Sequence, residues 1–273
     1  MGYFREIPIR TKGHQGVLYL TDDLTIAKAL RAEGKAVLPV RTAENRTDDF
    51  CGFSYAVEEP EQLPERYLCR MYERLKGLPW EIVRTKRCIV REMIPEDAAA
   101  FFRLYEDASV ARFMKDLRDT VEAQEAYIED YQKSMYGFYE FGVWTILEKE
   151  SGEVIGKAGF SLREGFDEPE LGYLIGEKWQ GRGLAKEVCE AILAYGFDEP
   201  GFDRVQILTE EENTASVALA KSLGATETLP VTVGAQKLRR FVMDAPSTAR
   251  TQIMGRNEDK NENDDCKNRR DLG

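Results

Sequence analysis

The chain of 273 residues carries a single histidine, His14. Zinc-site patterns are absent with one histidine, and a Ser-His-Asp or Cys-His catalytic pair would have to use this residue. His14 sits in the glycine-flanked stretch "TKGHQG", which reads as a turn. Five cysteines (Cys51, Cys69, Cys88, Cys189, Cys266) make no CxxC pair and no regular spacing. Neither a metal site nor a disulfide framework is expected from them. Free thiols without a signal peptide suggest a reducing, cytoplasmic setting. No apolar run approaches the ~18–20 residues that a membrane span needs, so no membrane partner is expected. Positive charge is also short: 38 Lys and Arg stand against 49 Asp and Glu, a net charge of −11. That balance disfavours a nucleic-acid partner. It suits plain solubility first, and it is compatible with a cationic substrate such as an amine.

Hydrophobic content of 42% with 10% aromatics is enough for a packed core. Residues 1–82 read as a small α/β unit. In it, the strands "GVLYLTD" and "KAVLPV" flank the helix "DDLTIAKALRAEG", a βαβ arrangement. "GFSYAVEE" is a third strand candidate and "LPERYLCRMYERLKG" a second helix. Residues 86–243 form a larger domain in the order β, α, α, β, β, β, α, β, α, β, with a hairpin at Ser151-Gly152. The aromatic stretch "MYGFYEFGVW" within it is expected to pack on a sheet. Residues 245–273 mix both charges with Asn, Ser and Gly, and are expected to be a disordered tail.

The informative stretch is "WQGRGLAKEVCEAILAYGF". A helix N-terminus leaves about four amides unpaired and carries roughly half a positive charge. Glycines before it let the backbone approach an anion. Gln180, Gly181, Arg182, Gly183, Leu184 and Ala185 supply that turn, and Arg182 and Lys186 add full charges. The GxxxxGK[ST] pattern of a Walker loop is missing, and so is the third glycine of a dinucleotide fingerprint.

"QGRGLA" resembles the Q/R-x-x-G-x-G/A signature of the GNAT superfamily of acetyl-CoA-dependent N-acyltransferases. "ELGYLIGEKWQGRGLAKEV" is similar to that family's strand–turn–helix, and "NTASVALAKSLGA" to its second cofactor helix. "TKRCIVREMIPEDA" resembles the opening of the ribosomal-protein N-terminal acetyltransferase branch. The resemblance implies an α/β (α+β) fold: a mixed, largely antiparallel central sheet flanked by helices, preceded here by the small βαβ-type unit. It implies that amides from Gln180 to Ala185 bind the CoA diphosphate. It also implies that Leu174, Ile175 and Gly176 pair their backbone with the pantetheine arm, in a gap where this strand and "RVQILTE" splay apart. An amide of Leu174 or Ile175 would then polarise the thioester carbonyl. Asn213 and Ser216 would lie near the thiol end.

The same resemblance makes Glu170 the candidate base for the amine, against a reading as a strand-end surface charge. Many family members place a proton-donating Tyr where this chain has Ala220, so Ser216 and Tyr173 become the substitutes. Glu164, Asp167 and Glu168 either attract a cationic amine or form a solvated turn. No metal is expected. The N-terminal unit weakly resembles a haloacid-dehalogenase-like fragment, but it lacks that fold's nucleophile motif, so no phosphatase activity is expected. The leading expectation is acetyl transfer from acetyl-CoA to a primary amine, on a protein or a small molecule such as an antibiotic or polyamine, by direct attack in a ternary complex. A non-catalytic CoA-binding regulatory module is the alternative. The sequence leaves the oligomeric state open.

Overall fold

The computed structural model describes residues 2–11, 14–107, 110, 112 and 117–246. The expected disordered tail lies, from residue 247 onward, outside them. The chain divides into two compact units between Trp80 and Glu81.

In the first unit, β1 (Phe4–Thr11) and β2 (His14–Thr21) pair antiparallel, and β3 (Ala36–Pro39) lies parallel to β2. Helix α1 (Leu24–Ala32) makes the crossover, as a parallel pair requires. The Asp23 carboxylate caps it, accepting from the amides of Thr25 at 2.8 Å and Ile26 at 3.1 Å. Helix α2 (Glu65–Leu75) completes the unit. Leu18, Leu20, Leu38 and Met71 form its core. Three expectations change. Strand β1 was not foreseen, because charged residues surround its one fully buried side chain, Ile9. His14 belongs to β2 rather than to a turn. "GFSYAVEE" forms only a single bridge, Val40↔Val57, in place of a strand.

The second unit opens with the antiparallel pair β4 (Glu81–Arg84) and β5 (Cys88–Arg91). A 3-10 turn (Pro95–Asp97) leads into α3 (Ala98–Tyr105). Helix α4 (Val121–Tyr131) runs on through a π turn (Gln132–Tyr136) into a last short turn (Gly137–Tyr139). Then come β6 (Val143–Glu148), β7 (Val154–Ser161), β8 (Glu170–Ile175), α5 (Leu184–Asp198), β9 (Arg204–Thr209), α6 (Thr214–Ser222), β10 (Thr226–Glu227), β11 (Val231–Val233) and β12 (Gln236–Asp244). The sheet order is β10-β12-β9-β8-β7-β6-β5-β4, with β11 paired to β12. All of its pairings are antiparallel except β8 with β9.

Two faces of this sheet are packed by different chemistry. On one, α5 buries Leu184, Val188, Cys189, Ile192, Leu193, Tyr195 and Phe197. Trp144 meets Phe160 and Tyr195 edge-on there. Gly196 lets the helix come close, since a Cβ at that position would lie 2.5 Å from the Phe160 ring. On the other, α3 is tied down by a buried ion pair. Asp97 accepts both Nη groups of Arg91 at 2.7 Å, the Thr145 hydroxyl at 2.6 Å and the Ile94 amide at 3.0 Å. Of the aromatic stretch, Tyr136, Phe141 and Trp144 are buried as expected, whereas Phe138 and Tyr139 are exposed.

Removing Asp97 would strand a buried guanidinium and the Thr145 hydroxyl. Asp97→Ala is therefore expected to lose about 3–5 kcal/mol of stability, read by urea unfolding; a loss no larger than a surface substitution gives would contradict this account.

Candidate active site

The site grows from one irregularity of the sheet. Strands β8 and β9 pair at a single position, Glu170↔Gln206, and no further pairing follows. Three contacts hold the junction. The Gln206 amide donates to the Pro169 carbonyl at 2.9 Å, and its Nε2 to the Glu168 carbonyl at 3.1 Å. Its Oε1 accepts from Arg240 Nε at 2.9 Å. Gln206 is fully buried. Beyond it the strands diverge toward their C-terminal ends and leave a wedge-shaped gap.

Register decides which backbone groups face that gap. β8 and β7 pair from Gly156↔Ile175 to Ser161↔Glu170, and the Gly176 amide donates to the Ile155 carbonyl. In an antiparallel ladder, bonded pairs alternate. Residues 170, 172, 174 and 176 therefore spend their backbone groups on β7, whereas Tyr173 and Ile175 turn theirs toward the gap. Of the two amides named from sequence, that of Leu174 is consumed by the ladder, and that of Ile175 is the one directed at the opening. The Ile175 carbonyl is already engaged, accepting from Gln180 Nε2 at 2.8 Å.

At the open end of the gap stands the glycine turn. Gly181 and Gly183 adopt left-handed φ angles of 70° and 75°. A side chain at either would cost roughly 1–2 kcal/mol of backbone strain. Helix α5 starts directly after Gly183, and the first amide to find a helical acceptor is that of Glu187, on the Gly183 carbonyl. The amides of Gly181, Arg182, Gly183, Leu184, Ala185 and Lys186 donate to no acceptor among the described residues. Arg182 lies over the Trp179 ring at 4.8 Å.

The turn is braced from across the sheet. The Arg87 amide and Nε donate to the two carboxylate oxygens of Glu187, at 2.8 and 2.7 Å, and Nη1 donates to the Arg182 carbonyl at 2.8 Å. Burial raises the Glu187 pKa, but the Thr85 hydroxyl and the Arg87 amide and guanidinium outweigh it and hold the carboxyl below its ordinary value.

The candidate catalytic side chains divide between the faces. Glu170 is buried at the closed end of the gap and paired with Arg163. Next to it, a Cβ on Gly172 would meet nothing among the described residues. Tyr173 projects toward α6 and donates its hydroxyl to the Ser216 carbonyl at 3.2 Å. Burial pushes its pKa up to about 12, against a smaller opposing effect of the Ser216 contact. Asn213 caps α6, accepting from the Ser216 amide at 3.1 Å. Ala220 faces inward and is fully buried, so a tyrosine there would be driven into the core. In the acidic loop, Glu168 is paired with Arg240 at 2.9 Å. Asp167 and Glu168 line a cavity of about 530 Å³ with Leu162, Phe141 and Phe202, at the closed end of the fork and away from the turn. Sequence reasoning assigned no role to Arg87, Arg163, Glu187 or Gln206. For Gln206 a signal existed: a lone amide inside the apolar strand "RVQILTE".

The family model of the acetyltransferase (GNAT) domain matches residues 87–226. An uncharacterized N-acetyltransferase, p20, of Bacillus licheniformis is 30% identical over 146 residues, covering 52% of this chain and 81% of the relative. The ribosomal protein uS5-alanine N-acetyltransferase of Escherichia coli is 32% identical over 135 residues, covering 46% of this chain and 68% of the relative. A solved structure described as a putative GnaT-family acetyltransferase from Bordetella pertussis is similar at a TM-score of 0.50 and 27% identity, over 59% of this chain and 97% of that one.

The lowered Glu187 pKa sets a pH dependence. The unfolded state takes up a proton first on acidification, so the stabilisation is full above the ordinary value of 4.5 and is lost as pH falls through the lower native value. The stability gap between the protein and Glu187→Gln, read by urea unfolding, is expected to be widest near neutrality and to close below pH 4.5. A gap that persists into strong acid would remove Glu187 from this role.

Proposed function

Since the chain belongs to the GNAT acetyltransferase family, we propose that it is an N-acetyltransferase acting on a primary amine of a protein, at an N-terminus or a side chain. It is an acyltransferase, and acetyl-CoA is its co-substrate. The protein acceptor is favoured by the likeness to the uS5-alanine N-acetyltransferase, which extends over 68% of that enzyme. The observation that carries the reading is the run of six unpartnered amides at Gly181–Lys186, facing the end of a gap whose edge is open backbone.

These residues fit the cofactor. The turn amides and the α5 dipole would hold a diphosphate, and Gln180, by fixing the Ile175 carbonyl, keeps the strand edge in place beside it. The open backbone of Tyr173 would pair with the pantetheine arm, with Leu174 and Gly176 completing the strand from the β7 side and the Ile175 amide left free for the acyl group. When bound, acetyl-CoA supplies a thioester whose acyl group passes to the amine. The Ile175 amide is the donor that would stabilise charge building on the acyl oxygen, since a fixed N–H favours the developing anion over the neutral carbonyl.

Glu170 would accept the amine's proton, next to the open space at Gly172. Its partner Arg163 occupies one carboxylate oxygen, so the proton reaches the other directly or through water. Tyr173 is protonated at neutral pH, with its pKa raised to about 12; its hydroxyl would pass that proton to the departing thiolate and recover one from solvent. Ser216 is the other hydroxyl beside it. Asn213 would act by holding the end of α6 in place.

Calorimetry with desulfo-CoA tests the cradle. Gly183→Ala isolates the strain of a left-handed residue, and Gly183→Glu adds a carboxylate. Binding is expected to weaken at least about tenfold more in the second; equal affinity in the two would sink the diphosphate assignment. Catalysis is read by thiol release with peptide and small-molecule amines. Glu170→Gln is expected to lower the rate about 10²–10⁴-fold with cofactor affinity unchanged. If no amine raises release above hydrolysis, a CoA-binding regulatory module takes the place of the enzyme reading. Release with polyamines or aminoglycosides but not peptides would move the acceptor to a small molecule.

A further inference from the structure

The glycine turn contains a contradiction. Glu187 stands in the first turn of α5, three residues after Leu184, where the proposed cofactor would place a diphosphate. A carboxylate favours a helix N-terminus in the empty protein, but it repels an anion arriving at the same amides. Arg87 answers both demands. It grips Glu187 with its backbone amide and Nε, and it grips the turn itself through the Arg182 carbonyl. Its remaining nitrogen, Nη2, makes none of these bonds and lies 3.7 Å from the point where a Gly183 Cβ would be.

We propose that Arg87 is the positioning residue of the cofactor turn: it cancels the Glu187 charge, holds the Arg182 carbonyl away from the anion and turns a guanidinium edge toward the diphosphate. This rests on the acetyl-CoA reading of the turn. It adds a residue from the opposite end of the domain, on the β4–β5 connection, to a site otherwise built by one strand–turn–helix segment. Three features favour the role over a plain surface ion pair. The contacts use three donors of one residue. They reach both the turn and the helix that follows. They also leave the Nη2 edge of the guanidinium beside Gly183.

The test uses the full chain and measures CoA and 3′-dephospho-CoA affinity by calorimetry, with thermal melts to confirm folding. Arg87→Ala is expected to weaken both ligands by the same factor, about tenfold or more. Arg87→Lys restores charge without the fork geometry and is expected to fall between. The decisive variant is Arg87→Ala/Glu187→Gln. Removing the uncompensated carboxylate is expected to recover part of the lost affinity, the shortfall being the share of the brace and of the guanidinium edge. A double variant as weak as Arg87→Ala would reduce Arg87 to a structural brace and overturn the proposal, as would a loss confined to CoA, which would assign Arg87 to the 3′-phosphate. Should Arg87→Ala not fold, Glu187→Gln alone decides: affinity equal to or above that of the unmodified protein supports the proposal, and a clear weakening overturns it. Failure of the unmodified protein to bind CoA would instead remove the acetyl-CoA reading itself, so the two failures are told apart.

Discussion

The structure of the acetyltransferase unit depends on the single bridge between Glu170 and Gln206. Parallel strands of six residues each would ordinarily zip along their length. Here the pairing stops after one position. Had it continued, the backbone edges of Tyr173 and Ile175 would be consumed by β9, and the sheet would offer a cofactor neither room nor hydrogen bonds. Gln206 makes the arrest sustainable. A buried polar side chain is costly unless satisfied, and this one is bonded at both ends of its amide, to Glu168 and Arg240. The fork is thus closed by side-chain bonds that substitute for the missing ladder.

The glycine turn was legible in the sequence because its chemistry is local. Two left-handed residues before an apolar-striped helix leave little freedom, and the angles at Gly181 and Gly183 follow from that. The long helix Leu184–Asp198 was legible for the same reason, from its apolar stripe. What was hidden depends on partners distant in sequence. Short strands such as Glu81–Arg84 and Val231–Val233 carry too few residues for a pattern, and are strands only because a neighbour pairs with them. The choice between the Leu174 and Ile175 amides is a matter of register against β7, which no reading of β8 alone can supply. The Arg163–Glu170 pair and the inward turn of Ala220 belong to the same class.

Internal hydrogen bonds also hold the parts of the candidate site in place. Gln180 fixes the end of β8, Asn213 caps α6, and Tyr173 ties strand to helix across the fork. Each of these bonds restrains a group that would otherwise have to be ordered on binding, so less of the interaction energy is lost to ordering. The groups left open are backbone amides, which hold their geometry without rotamer freedom.

The brace between Arg87 and Glu187 joins residues one hundred positions apart. Contacts of that span cannot form until the intervening chain has collapsed, and their loop-closure cost is set against folding, not binding. Strand–turn–helix segments, by contrast, can assemble early from local contacts. A strand–turn–helix segment that forms before the β4–β5 connection docks on it would therefore present the glycine turn with the Glu187 carboxylate uncompensated. On the proposed reading of the turn, its anion affinity would then mark completed folding, switched on when the first strands of the domain reach its far helix.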